Sequence, residues 1–410
     1  MIPSQSQSLP QPPPLPSCSP YVEKVANGRG GLWQKHGPLL GRLDIELTER
    51  CNNDCIHCCI NLPMDDSAAQ QREMTADEVK DVLTEAATLG CLSVRFTGGE
   101  PLLREDFEEL YLFARRQGMK VMLFTNARLI TPHLADLFAR VPPGELVEVT
   151  VYGMKPESYE AVCRAPGSYA EFRRGVNLLL VRRVPFVVKG ALLPPNRGEV
   201  DEFEAWAATI PAMDKPPGYS MFFDLRGRRD SPLKNRQIAG LRLLPEEGVA
   251  IISRRREEYL KEMHQFCSKF MGPPGDRLFS CGAGHGTCVD AYGRAQMCMP
   301  LRHPDMAYDL KAGSLRDALT NFFPRLREMR AKNPDYLVRC ARCFLKGLCE
   351  QCPAKSWAEY GTLDTPVEYL CQVAHAQARY LGLITNEENA WEVVDWRERV
   401  GRLSANTLGM

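Results

Sequence analysis

The chain has 410 residues, 44% hydrophobic and 25% charged, the composition of a soluble globular protein with room for two or three domains. Lys plus Arg number 51 and Asp plus Glu 51, a balance that points away from nucleic acid and from an acidic membrane surface as partners. No apolar run reaches the length of a membrane span, and the opening MIPSQSQSLPQPPPLPSCSP lacks both the basic and the apolar region of an export signal. Its Pro, Ser and Gln content suits a disordered or polyproline-like lead-in, with irregular structure to residue 42. The sixteen cysteines, in a large chain without an export signal, argue for metal binding over disulfides and for an oxygen-sensitive cytoplasmic protein.

Leu43, Ile45 and Leu47 alternate as a short strand that runs straight into Cys51, Cys55 and Cys58. Thiolates select zinc or iron–sulfur clusters, and C-x3-C-x2-C supplies three of them with no fourth at similar spacing. Three ligands on a cubic four-iron cluster leave one iron open to a substrate or cofactor. Structural zinc or three unrelated core cysteines are the alternatives. Cys59, whose side chain points away from that of Cys58, reads as a packing or spare thiol, and His57 as loop packing.

Beyond the loop, Thr75 and Glu78 form a capping box opening a helix to about Leu89. A strand at Ser93–Phe96 meets Thr97-Gly98-Gly99-Glu100-Pro101, where two glycines permit positive φ and close approach of a ligand. Helices at about 104–117, 132–140, 156–163, 169–182, 200–208 and 245–263 then alternate with strands at 120–124, 146–151, 186–189 and 220–225. That rhythm predicts about six βα units over 43–265 as a partial (β/α)6 TIM-like barrel in an α/β protein, its chemistry at the C-terminal strand ends.

C-x3-C-x2-C followed one βα unit later by GGEP resembles the radical S-adenosylmethionine (radical SAM) superfamily. The resemblance implies a [4Fe–4S] cluster on Cys51, Cys55 and Cys58 whose open iron chelates SAM. It also implies SAM contacts from Gly98, Gly99, Glu100 and Pro101, with Glu100 at the amino group. Asn126 and Thr150 are candidates for the SAM ribose or carboxylate, and Arg164, in VCRAPGSY, for the carboxylate by its guanidinium fork. Tyr152, Lys189, Asp224 and Arg226 sit near strand ends as catalytic or substrate-contacting candidates.

After Cys267 the rhythm stops. CGAGHGTCVDAYGRAQMC places Cys281, Cys288 and Cys298 around a predicted hairpin turn at Asp290–Gly293, which would bring Cys288 and Cys298 together. CARCFLKGLCEQCP adds Cys340, Cys343, Cys349 and Cys352, and Cys371 follows alone. Eight thiols suffice for two four-cysteine sites, with zinc ribbons as the alternative to iron–sulfur. The block, read as a small cysteine-rich domain over 266–375 before a C-terminal helix and tail over 376–410, resembles the SPASM extension of radical SAM enzymes. One departure is its final C-x2-C, where the family pattern has C-x3-C. The resemblance implies two auxiliary [4Fe–4S] clusters, one on Cys281, Cys288, Cys298 and Cys352, the other on Cys340, Cys343, Cys349 and Cys371. Cys18, Cys91, Cys163 and Cys267 fit no ligand pattern and read as core or incidental thiols.

The resemblance implies reductive cleavage of SAM to a 5′-deoxyadenosyl radical that abstracts hydrogen from a peptide or protein substrate, an oxidoreductase-type maturation. Flavodoxin- or ferredoxin-type proteins would supply the electron. The residues before Leu43 are too few for a leader-binding domain, so a separate leader-recognition protein is the expected partner. A small-molecule substrate and a non-catalytic iron–sulfur or zinc scaffold are the competing readings.

Overall fold

The apolar residues Leu43, Ile45 and Leu47 are fully buried on one face of β1 (Arg42–Thr48). Asp44, Glu46 and Thr48 point to the other face. The computed structural model describes residues 39–281, 286–349 and 352–405, so the call on Cys18 and most of the lead-in lies outside the described residues. The same two-residue period continues through β2 (Ser93–Gly98), β3 (Lys120–Thr125), β4 (Gly144–Val151) and β5 (Phe186–Ala191). With the short β6 (Tyr219–Ser220) these strands form one parallel run in chain order.

Helices α1 (Ala76–Thr88), α2 (Phe107–Arg116), α3 (Pro132–Arg140), α4 (Pro156–Cys163), α5 (Ser168–Val181) and α6 (Val200–Ala207) alternate with the strands. They bury the apolar face with Val94, Phe96, Val121, Leu123, Val147, Val149 and Val188. The capping box predicted at α1 is present: Thr75 Oγ1 accepts the Glu78 N–H at 3.2 Å, and Glu78 accepts the Thr75 N–H at 2.8 Å. The opposite face of the sheet is polar. Arg95 pairs with Asp44 at 3.2 Å, Lys189 with Glu148, and both cations lie over the Phe124 ring.

Three elements differ from expectation. The sixth strand, Tyr219–Ser220, keeps only Ser220 of the run predicted over 220–225, and residues 221–225 leave the ladder; Pro216 and Pro217, which supply no N–H, precede it. The long helix expected over 245–263 is two, Pro245–Ile252 and Arg256–Phe270. Arg254 and Arg255 at the break are drawn to Glu204 on α6. The predicted hairpin is present as β7 (Gly286–Val289) and β8 (Arg294–Gln296), but β7 pairs in parallel with β1. Together with β9 (Ala307–Asp309) it extends the sheet to the order β9-β8-β7-β1-β2-β3-β4-β5-β6. The boundary expected after residue 265 therefore does not interrupt the sheet.

Candidate active site

The glycine turn after β2 meets the end of β1. Gly99 N–H donates to the Thr48 carbonyl at 2.7 Å and Glu100 N–H to the Arg50 carbonyl at 2.9 Å. A Cβ on Gly98 would stand 2.0 Å from the Thr48 oxygen, and one on Gly99 2.2 Å from the Arg50 oxygen. The close approach that demands glycine here is to the thiol-bearing strand itself. Glu100 turns inward and is fully buried. Its carboxylate accepts from Leu102 N–H at 3.2 Å, the Thr125 hydroxyl at 2.8 Å and Asn126 N–H at 2.8 Å. Burial pushes its pKa up to about 7. Glu100 thus ties the end of β3 to the glycine turn.

The thiol loop is held by its carbonyls from outside. Arg226, buried, donates to the Asn61 carbonyl at 3.3 Å and the Cys58 carbonyl at 3.4 Å, braced by Asp230 at 2.6 Å. Arg228 donates to the Ile60 carbonyl at 2.5 Å, and Lys234 to the Cys55 carbonyl at 2.9 Å. Arg128 binds Asn53 Oδ1 at 2.6 Å and the Asn52 carbonyl. Backbone N–H groups of Asp54 and Ile56 donate to the last carbonyls of α4 at 2.9 and 3.0 Å. With its carbonyls so occupied, the loop presents its sulfurs to the interior.

N–H groups point at those sulfurs: Asn53 N–H at 3.4 Å and Asn126 Nδ2 at 3.9 Å from Cys51 Sγ, and Asn61 N–H at 3.4 Å from Cys58 Sγ. Burial raises the Cys51 and Cys58 thiols, each further raised by Cys55. Hydrogen bonding to Cys163, followed by burial, raises Cys55 itself. Such thiols stay protonated until a metal displaces the proton.

Cys51, Cys55 and Cys58 line one cavity of about 480 Å³. Gly98, Gly99, Asn126, Thr150, Tyr152, Lys189 and Asp224 line it too, so these predicted residues come together. Glu100, Pro101, Arg164 and Arg226 are not among the lining residues. Arg164, the candidate for the SAM carboxylate, pairs with the Asp54 carboxylate at 2.5 Å. Arg226, a catalytic candidate by its place in the sequence, is buried and donates to the carbonyls of the thiol loop. Among residues that the sequence reading missed, Lys355 lines the cavity and pairs with Asp224 at 3.0 Å. Cys59 lines it as well, its thiol pushed up to about 12 by burial and Cys58. His57 is loop packing as expected, against Phe223 at 4.9 Å and Tyr152 at 5.9 Å.

Residues 45–207 match the family model for the Radical SAM superfamily. The chain carries a radical SAM domain. Its radical SAM relatives are enzymes. The AdoMet-dependent heme synthase of Methanosarcina barkeri (strain Fusaro) is 26% identical over 335 residues, covering 77% of this chain and 92% of that protein. The PqqA peptide cyclase of Bradyrhizobium diazoefficiens is 41% identical over 87 residues, 21% of this chain and 22% of that protein. Among solved structures, Streptococcus suis SuiB bound to S-adenosylmethionine aligns at a TM-score of 0.59 with 16% identity, over 83% of this chain and 79% of SuiB. Native anSMEcpe with bound AdoMet and the Cp18Cys peptide aligns at 0.55 with 14% identity, over 90% of this chain and 100% of that one.

The radical SAM family brings a [4Fe–4S] cluster and SAM, and the residues present fit both: three desolvated thiols with N–H groups aimed at their sulfurs, facing a cavity. Among the described residues no group of three or more His, Cys, Asp or Glu is placed to hold a single metal ion. The two findings agree, since one ion needs donors within about 2.3 Å of a point whereas a cubane stands between its ligands.

The later cysteines divide into two sets. Cys340, Cys343, Cys349 and Cys371 line one cavity with His375 and Trp391. Cys298 has Cys352 and Cys281 for neighbours, and burial with those thiols pushes it up to about 12. Cys288 has charged residues of β1 and the hairpin beside it. It lies opposite Gln296 across the hairpin and beside Asp44 of β1, fully buried, where burial and then Glu46 raise its thiol. Cys298, which the sequence places with Cys288, lies two residues beyond Gln296 on the other arm of the hairpin.

A buried ionic cluster stands on the polar face of β1. Arg302 pairs with Glu46 and, at 3.5 Å, with Glu49, while Glu49 also takes Arg228 and the Tyr292 hydroxyl at 2.8 Å. No helix among the described residues is long and apolar enough to cross a membrane.

Proposed function

We propose that this chain is a radical SAM enzyme that abstracts hydrogen from a residue of a peptide or protein substrate, with Cys51, Cys55 and Cys58 holding the SAM-binding cluster. The observation that carries the reading is the shared cavity, running from the three thiols past Gly98, Gly99, Asn126 and Thr150 to the Asp224–Lys355 pair. Bound there, the cluster and SAM supply one-electron cleavage to a 5′-deoxyadenosyl radical. The protein binds and orients. Asn126 and the glycine turn flank the thiols, Tyr152 and Phe223 wall the chamber, and Lys189 and the Asp224–Lys355 pair give a substrate its polar anchors.

A peptide is favoured by room for an extended chain: a second cavity of about 600 Å³ shares Lys189, Tyr219 and Ser220 with the first. PqqA peptide cyclase and anSMEcpe, named for or bound to peptides, point the same way. The match across 92% of a heme synthase supports a second reading, a carboxylated macrocycle taken by Lys189 and Lys355. The two later thiol sets would hold auxiliary clusters that relay electrons, with a small acidic electron carrier as donor.

Anaerobically reconstituted protein should hold about twelve irons per chain, falling to about eight in the Cys51, Cys55 and Cys58 triple alanine variant. Reductant-dependent formation of 5′-deoxyadenosine should vanish in that variant. Zinc in place of iron, or no SAM cleavage by fully loaded protein, would sink the proposal. Incubation with a peptide encoded beside the gene, against a carboxylated tetrapyrrole, then separates the substrate classes by which one changes mass.

A further inference from the structure

Two side-chain donors approach the sulfur of Cys371. Cys371 stands on α7 (Glu368–Tyr380), and His375, one turn on, lies with Nδ1 2.8 Å from the Cys371 carbonyl and 3.6 Å from Cys371 Sγ. The tautomer follows from the other ring nitrogen: Nε2 accepts the Ala390 N–H at 3.3 Å, so the hydrogen is on Nδ1. From the far side, Arg339 Nη2 approaches the same sulfur at 3.7 Å. Arg339 is held in place by a two-pronged pair with Glu368, at 2.5 and 3.0 Å, and by the Trp391 ring 4.9 Å beneath it. Trp391 also packs edge-on against His375 at 5.5 Å, so one aromatic residue of the C-terminal segment fixes both donors.

Hydrogen bonds to ligating sulfur raise a cluster's reduction potential, because the added electron puts negative charge on the sulfurs and the donors stabilise it. Glu368 offsets much of the net charge of Arg339, and what remains at the sulfur is the Arg339 N–H together with the His375 Nδ1–H, which is shared between the Cys371 carbonyl and the Cys371 sulfur. We infer that Arg339 and His375 are positioning residues that raise the reduction potential of the iron–sulfur cluster held by Cys340, Cys343, Cys349 and Cys371. The step is a one-electron reduction of the cubane with no proton taken up. The inference rests on the four-thiol reading of this cavity.

The test uses full-length, anaerobically reconstituted protein in the Cys51, Cys55 and Cys58 triple alanine background, which leaves only the auxiliary clusters. Its reduction is titrated potentiometrically and followed by electron paramagnetic resonance, with the signal lost in Cys371→Ser marking the cluster in question. Arg339→Met and His375→Phe should each lower the reduced-to-oxidised ratio of that cluster about tenfold at fixed potential, a midpoint shift of ~59 mV for one electron. The double variant should shift further, and the other auxiliary cluster should not move. Unshifted midpoints, or equal shifts of both clusters, would overturn the inference. Should either variant shed its iron, Arg339→Leu or His375→Leu, which likewise bring no N–H to the sulfur, takes its place, and an unshifted midpoint is again fatal. Failure of the underlying reading shows separately, as about four irons in the triple variant where about eight are expected.

Discussion

Replacing Gly99 by alanine isolates the contact on which the radical SAM loop is built. The new methyl group would stand 2.2 Å from the Arg50 oxygen and 2.6 Å from both the Arg50 carbon and the Glu49 oxygen, all backbone atoms. Relief requires β1 and β2 to separate by about 1 Å at the thiol end. That forfeits the Gly99-to-Thr48 and Glu100-to-Arg50 hydrogen bonds. At about 1 kcal/mol each, with overpacking of about 1–3 kcal/mol, the loss is roughly 3–5 kcal/mol. Gly118→Ala is the matched control, with φ of +81° and nothing within 4 Å of the added Cβ, so only left-handed strain of about 1–2 kcal/mol applies. Urea unfolding of the metal-free proteins gives both values, and iron analysis after reconstitution should show Gly99→Ala short by about four irons. A Gly99→Ala protein as stable and as iron-rich as Gly118→Ala would refute the assignment of the glycine to strand approach.

Glu100→Gln should remove a pH dependence. Burial raises the folded-state pKa from 4.5 to about 7, so the native protein keeps a proton that the unfolded chain loses. Stability contributed by this group therefore falls as pH rises from about 4.5 to about 7 and is level above, by about 3 kcal/mol at most. Urea melts at pH 5 and pH 7.5 should show that difference in the wild type and a smaller one in the variant; equal slopes would refute it. Arg226→Lys keeps a charge but loses the fork to the Asn61 and Cys58 carbonyls, so stability should drop by about 2 kcal/mol and SAM cleavage should slow with iron retained. Unchanged cleavage rates would remove Arg226 from loop positioning. Cys288→Ala should leave the iron content unchanged at a cost of about 1 kcal/mol in stability, and loss of about four irons would restore Cys288 as a ligand.

Much of this was legible in the chain. The alternation of Leu43, Ile45 and Leu47 placed β1, Thr75 and Glu78 placed the start of α1, and the thiol spacing with GGEP placed the cavity. Other features depend on partners far away in sequence. Nothing near Arg128, Arg226 or Lys234 shows that each caps the same loop, because those carbonyls are brought to them only by the fold. Glu100 sits in a recognisable motif, yet its inward turn is set by Thr125 and Asn126 on another strand. Cys288 fits a ligand pattern by counting, whereas its pairing with β1 gives it ionic neighbours. The helix Pro232–Leu241 was missed although Ser231 and Pro232 form an ordinary cap and first turn.

The pairing of β7 with β1 has a consequence for the order in which the protein is made. β1 emerges first, but one of its two flanking strands is about 240 residues further along the chain. At roughly 5–20 residues per second, the ribosome leaves that flank bare for about 12–50 s. During that interval the strand leading into Cys51 is an open edge with unpaired backbone groups, able to recruit another chain. The strand that leads into Cys51 is thus made well before the strand that completes its flank, which makes slow translation beyond residue 265 a hazard for yield.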